Sequence, residues 1–337
     1  MPGVSNSRRS FMKASVAATA GLTALAGCAG GSDEGTIRLA YTVPIENLVS
    51  LMDVPEIQDE MENLGDSYEI EISQNSSTPD TLNQMASGDV DLGLLSTVSF
   101  GNAVQQEAVP GNISLIATDF WDAHPDNYGF TIYSPSDSDI TEMTDIEGAT
   151  IATNARGTGT HAIYEKAFQD LGLEDGEDVE LVELAFPNMT PSINDGSIDA
   201  GMYPALFAPQ ARNEGFNAVF SSQDVWDNEY PFAYLTASND AMENKDDAIN
   251  AWGEDYVNLV DYLNENRSDV ITAAAEHFDL DEGLLDAFFL TENDYYRDEP
   301  VTDIDRMQTM MDDLADLGFL DESFTVDEYI NNEYVEQ

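Results

Sequence analysis

A six-residue turn occurs twice in this chain, and it constrains the fold more than any other feature. Gly88-Asp89-Val90-Asp91-Leu92-Gly93 returns as Gly196-Ser197-Ile198-Asp199-Ala200-Gly201, 108 positions later. Each copy follows a short helical stretch opened by Thr-Pro (Thr78-Pro79 and Thr190-Pro191) and runs into an apolar segment. The glycine stops a helix, the aliphatic residue packs inward, and the aspartate caps the turn into a strand. Two copies of that connection predict two lobes of one design, each a small α/β unit, with a cleft between them.

Strands and helices alternate around the turns. Predicted strands lie at Ile37–Val43, Tyr68–Ser73, Asp91–Leu95 and Ile113–Thr118, then at Ala149–Thr153, Val179–Leu184, Ala200–Tyr203, Ala218–Ser221 and Phe232–Ala237. Helical stretches separate them: Ile45–Leu64, Pro79–Ala86 capped by Thr78, Val98–Glu107, Thr160–Leu171, Pro191–Asp195 and Ala205–Glu214. From Asp240 the pattern is helical, through Asn250–Asn264, Asp269–Phe278 and Ile304–Leu317. The expected class is α/β, each lobe a mostly parallel sheet flanked by helices. Residues 37–122 with 236–337 are assigned to lobe 1, and 123–235 to lobe 2.

The N-terminus reads as an address. Ser7-Arg8-Arg9-Ser10-Phe11-Met12-Lys13 precedes an uncharged stretch from Ala14 to Gly27, too short to span a bilayer, where about 20 residues are needed. A basic start, a short apolar core and small residues before a cleavage point define an export signal. The paired arginines resemble a twin-arginine signal, and Leu25-Ala26-Gly27-Cys28 resembles a lipobox. Residues 1–27 are therefore expected to be removed, Cys28 to carry the lipid, and residues 28–36 to form a flexible tether. The protein is expected at the outer face of the cytoplasmic membrane, held there by its lipid anchor.

Cys28 is the sole cysteine, so no internal disulfide can form. The chain has 66 Asp+Glu against 11 Lys+Arg, a formal net charge of −55. Three of those cations precede Cys28, leaving eight for the rest. The acids are scattered, and 42% hydrophobic residues suffice for a core, so they read as the surface of a salt-adapted protein. This charge excludes nucleic acid as a partner. His124, His161 and His277 are widely separated and form no zinc pattern, and no nucleophile elbow is present. Met307, Met310 and Met311 read as core at helical spacing. No cofactor, metal or catalytic role is expected.

Four segments together resemble a known family. They are IRLAYTVP, TLNQMASGDVDLGLLS, IEGATIATNARGTGTHAIYEKAFQDLGL and INDGSIDAGMYPALFAPQARNEG, in order from Ile37 to Gly215. The resemblance is to substrate-binding proteins of ABC importers, of the nitrate/sulfonate/taurine type. It implies a two-lobed, type II periplasmic-binding-protein-like fold that closes on a small solute, most simply an anion of that type. The solute would pass to permease and ATPase subunits, the binding protein acting as a monomer. A sensory relative coupled to a chemoreceptor shares the fold. A pyrimidine-synthase branch of the superfamily is enzymatic, but its cysteine-rich motif cannot be built from one cysteine. Family members often carry Trp or Glu before the proline of the second-lobe strand; here Tyr203 precedes Pro204 and joins the expected contacts.

The residues themselves point to one turn above others. Arg156-Gly157-Thr158-Gly159-Thr160 follows a predicted strand and opens a helix, where bare N–H groups, the helix dipole and a rare cation favour an anion. Its Gly-x-Gly spacing also meets a loose dinucleotide fingerprint, set aside for an exported chain. Thr42, Ser77, Ser96 and Thr97 follow first-lobe strands and face the expected cleft. Trp121 lies where the chain crosses to the second lobe, either walling the cleft as a ligand contact or packing at the hinge.

Overall fold

Among the residues described by the computed structural model, 35–297 and 300–336, ten strands form two five-stranded sheets of one topology. The segment expected to be an export signal, with Cys28, lies outside the described residues. The first sheet has the order β2-β1-β3-β10-β4, from β1 (Thr36–Tyr41), β2 (Glu69–Gln74), β3 (Leu92–Ser96), β4 (Ile113–Asp122) and β10 (Tyr230–Ser238). The second has the order β7-β6-β8-β5-β9, from β5 (Thr131–Ser134), β6 (Thr150–Thr153), β7 (Glu180–Glu183), β8 (Ala200–Tyr203) and β9 (Asn217–Ser221). In each, four strands run parallel and one, β10 or β5, runs against both of its neighbours.

Eleven α-helices flank these sheets among the described residues. They are α1 (Pro55–Gln58), α2 (Thr78–Ser87), α3 (Thr97–Gln105), α4 (Gly159–Leu171), α5 (Met189–Asn194) and α6 (Ala208–Asn213), then α7 (Ser222–Val225), α8 (Asn239–Glu265), α9 (Arg267–Phe278), α10 (Glu282–Phe288) and α11 (Ile304–Asp316). None is long and apolar enough to cross a membrane. The helix expected over residues 45–64 is instead a 3₁₀ turn at Leu48–Asp53 followed by α1. Pro55 is the cause: it holds Val54 extended, with φ −83 and ψ 118, and a helix cannot run through that residue. The strand β5 has no counterpart among the strands expected from the sequence. Thr36, expected in the tether, opens β1, and the expected lobe boundary at 235 falls inside β10.

The repeated turn does the same work in both sheets. The Asp91 N–H donates to the Arg38 carbonyl at 2.8 Å, and Asp199 N–H to the Thr150 carbonyl at 2.7 Å. Each carboxylate then accepts the N–H of that same neighbour, Arg38 to Asp91 at 2.9 Å and Thr150 to Asp199 at 2.8 Å. Gly88 and Gly196, at φ +76 and +77, occupy the left-handed region that ends the preceding helix. These bonds place β3 beside β1 and β8 beside β6, and so fix where the parallel strands end.

The chain crosses between the sheets after β4 and again before β10. Asp122, fully buried at the crossing, accepts from Phe130 N at 3.2 Å, Ser222 Oγ at 2.8 Å and Tyr230 Oη at 3.0 Å. Helix α8 then packs on the first sheet, with Lys245 donating to Asp91 at 2.7 Å and Tyr68 Oη to Asp255 at 3.0 Å. Met307, Met310 and Met311 are buried core residues of α11.

Candidate functional site

The parallel strands of the two sheets end on a narrow cleft with about 40 Å³ of free space, room for little more than a water. The first sheet and its loops supply Thr42, Glu46, Thr78, Ser96 and Phe120. The second supplies Phe130, Asn154, Thr158, Gly159, Thr160 and Phe186, while Phe232 of β10 lies between. Hydroxyls join the halves directly. The Gly159 N–H, at the start of α4, donates to Ser96 Oγ at 3.1 Å, and Ser99 Oγ donates to the Gly157 carbonyl at 3.1 Å. Thr78 Oγ1 links Ser96 and Ser99 at 3.1 and 2.7 Å. On the other side Thr160 Oγ1 meets Asn154 Oδ1 at 2.5 Å and Thr158 Oγ1 at 2.8 Å. A Cβ on Gly159 would stand 2.5 Å from the Phe232 ring, so glycine is required for this approach. The rings form a continuous wall, with Phe232 stacked 5.4 Å from Phe120 and tilted against Phe130 at 4.6 Å.

A carboxylate sits among these neutral groups. Glu46 lines the cleft at 3% exposure, and its Oε2 has no hydrogen-bond partner among the described residues. The backbone that delivers it is strained: Ile45, β-branched, has φ +65, and the Glu46 N–H bonds the Pro44 carbonyl at 2.7 Å. This is a γ-turn of positive central φ, rare in proteins. Asn47 locks the loop, its Oδ1 accepting from Thr42 N, Val43 N and Thr42 Oγ1 at 3.2, 2.9 and 2.9 Å. Burial pushes the Glu46 carboxyl well above the usual range, with Arg297 opposing the shift.

Arg297 is itself fully committed. It chelates Asp294 at 3.0 and 2.8 Å, lies 3.4 Å from Asp119 Oδ1, and covers the Phe120 ring at 5.4 Å. Burial raises Asp119 to about 7, and Asp122 to about 6. One buried cation thus faces an excess of acids behind the cleft.

Residues 55–277, about two thirds of the chain, match the model of the NMT1-like family. The chain belongs to the NMT1-like family. No curated protein matches its sequence. Solved structures match its fold: the ligand-binding component of an ABC-type import system from Staphylococcus aureus, with zinc bound, aligns at TM-score 0.72 and 13% identity, covering 89% of this chain and 97% of that one. The periplasmic aliphatic sulphonate binding protein SsuA of Escherichia coli aligns at 0.70 and 14%, covering 88% and 92%. The periplasmic nitrate-binding protein NrtA of Synechocystis aligns at 0.72 and 12%, covering 89% and 87%. This NMT1-like chain therefore has the two-lobed α/β fold of periplasmic binding proteins.

Of the contacts expected from sequence, Thr42, Ser96, Thr158, Gly159 and Thr160 line the cleft of this NMT1-like protein. Others lie elsewhere. Arg156 turns to the far edge of the second sheet, where Asp175 holds it at 2.7 Å and the Leu181 carbonyl accepts from it at 2.7 Å. On so acidic a surface the nearest carboxylates capture a lone cation, and the turn reaches the cleft without it. No lysine or arginine is among the described residues lining the cleft. Ser77, and not Thr78, caps α2, its Oγ accepting from Asp80 N; Thr78 is the residue that faces inward. Thr97 is buried behind Gly159, and the Gly157 carbonyl is taken by Ser99. Trp121 packs edge-on to Tyr296 under Arg306, outside the cleft lining. Tyr203 is buried within the second lobe, its hydroxyl 2.9 Å from Thr190 Oγ1. Among the described residues no group of three His, Cys, Asp or Glu is arranged to hold a metal. Glu46 and the four phenylalanines carried no sequence signal: one acid among 66 looks like surface, and phenylalanine in a strand looks like core.

Proposed function

We propose that this protein is the extracytoplasmic solute-binding lipoprotein of an ABC importer, holding a small solute between its two sheets and delivering it to a permease and its ATPase. One observation carries the reading: the parallel strands of both sheets end on a single cleft whose two halves meet through Ser96 and Gly159. Such a meeting can be broken and remade by lobe opening about the crossings near Asp122, admitting a solute to Thr42, Thr78, Ser96, Thr158 and Thr160. The sulphonate- and nitrate-binding structures of the same fold support an import role. Cys28 is proposed as the lipidated first residue of the mature protein, and strong salt as the medium that screens its charge.

The test is uptake. Cells lacking the gene should fail to accumulate the small molecule that the purified protein captures from growth medium, and restoring the gene should restore uptake. Undiminished accumulation without the gene would contradict the importer role. Cys28→Ser should release the protein from the membrane; unchanged processing and membrane retention would contradict the anchor.

A further inference from the structure

We infer that the solute is a small amine, presenting a protonated or N–H-bearing nitrogen to Glu46 and an apolar body to Phe120, Phe130 and Phe232. This rests on the solute-binding reading above and names the class of ligand that such a cleft would take. The side chain of Glu46 is buried, its Oε2 lacks a partner among the described residues, and it lines the cleft itself. An unmade hydrogen bond at a buried carboxylate is costly, so the group is kept where a ligand supplies the donor. The nearest cation is already engaged: Arg297 is held by Asp294 and Asp119.

The remaining chemistry agrees. Among the described residues that line the cleft there is no lysine or arginine to neutralise a sulfonate or nitrate. Its hydroxyls, at Thr42, Thr78, Ser96, Thr158 and Thr160, can accept as well as donate. Phenylalanine faces carry partial negative charge and favour a cation beside them. The positive-φ Ile45 fixes the carboxylate at this place, a strain expected where function demands it.

Matched probes separate the classes. Calorimetry on the wild-type protein in high salt would compare methylamine, ethylamine and benzylamine with methanesulfonate, ethanesulfonate and phenylmethanesulfonate. At least one amine should bind in preference to its sulfonate partner. Glu46→Gln, which keeps the shape and removes the charge, should weaken that amine by about 10- to 100-fold. Far-UV circular dichroism and the unfolding midpoint of Glu46→Gln should match the wild type, because burial already favours the neutral carboxyl in the unliganded protein and the amide keeps its shape. Failure of every amine to bind, or equal amine binding by Glu46→Gln, overturns the inference. A sulfonate that binds in the cleft while amines do not would overturn it and leave the solute-binding reading standing. Binding by none of the probes overturns the amine class, and only a failed uptake experiment reaches the broader reading.

Discussion

Asp91 and Asp199 hold equivalent places in the two sheets, yet their surroundings differ. Asp91 is buried, gripped by Arg38 at 2.9 and 2.6 Å and by Lys245 of α8 at 2.7 Å. Asp199 is exposed and makes its backbone bonds at the surface. The repeated turn therefore sets topology, while the charge placed on it sets what packs there. Two of the eight cations beyond Cys28, Arg38 of β1 and Lys245 of α8, meet on one carboxylate, which ties α8 to the first sheet. Lys245 is also the point where α8 leaves helical geometry, at φ −131 and ψ 25, to reach Asp91 and the Thr36 carbonyl.

This difference can be broken by parallel substitutions, measured by denaturant unfolding in roughly 1 M salt, where the Debye length is about 3 Å. Asp91→Asn should cost about 3–5 kcal/mol, since it strands Lys245 in the interior. Asp199→Asn should cost about 1 kcal/mol, the scale of one hydrogen bond at the surface. Equal losses would mean that α8 is not anchored by Asp91.

The next pair concerns the glycines that end the turns. A Cβ at Gly93 would lie 2.4 Å from Met85 Sδ and 2.8 Å from Thr81 Cγ2, whereas at Gly201 the nearest atom, Met189 Sδ, is 3.2 Å away. Gly93→Ala should cost about 1–3 kcal/mol through overpacking, and Gly201→Ala distinctly less. A reversed order would show that the methionine of α2 yields more easily than that of α5.

A smaller effect separates acids within the first lobe by the sign of their pH dependence. For Asp91, burial opposes ionisation, but hydrogen bonds from Arg38 and Lys245 outweigh it and lower its pKa. Its contribution is present above the ordinary carboxylate pKa and is lost as pH falls through the lower folded value. Asp119 is the reverse: raised to about 7 by burial, it contributes stability that is full below about pH 4 and lost as pH rises through about 7. Between pH 5 and 8 the melting temperature should therefore fall by a few degrees, and Asp119→Asn should flatten that slope. An unchanged slope in Asp119→Asn would place the titration elsewhere.

Much of this molecule was legible in the sequence because local rules wrote it. The duplicated turn announced two like units, and the ends of the parallel strands located Thr42, Ser96 and Thr158–Thr160 at the cleft. What escaped depended on contacts distant in sequence. Glu46 becomes buried because a strained turn directs it toward a region completed by Arg297, some 250 residues later. Phe232 looked like an ordinary core residue until β10 returned to the first sheet and laid its ring against Gly159. Arg156 was misleading for the opposite reason, since no local rule reveals that Asp175 lies closer to it than the cleft.

The claim that a solute is held between the two sheets is tested most directly by native mass spectrometry of protein purified without dialysis. Wild type should carry one small molecule per chain. Gly159→Val, whose side chain collides with Phe232 and Thr97 and prevents the halves from meeting, should lose it while keeping its fold by circular dichroism. The same adduct retained at full occupancy in Gly159→Val would place the binding site somewhere other than this cleft.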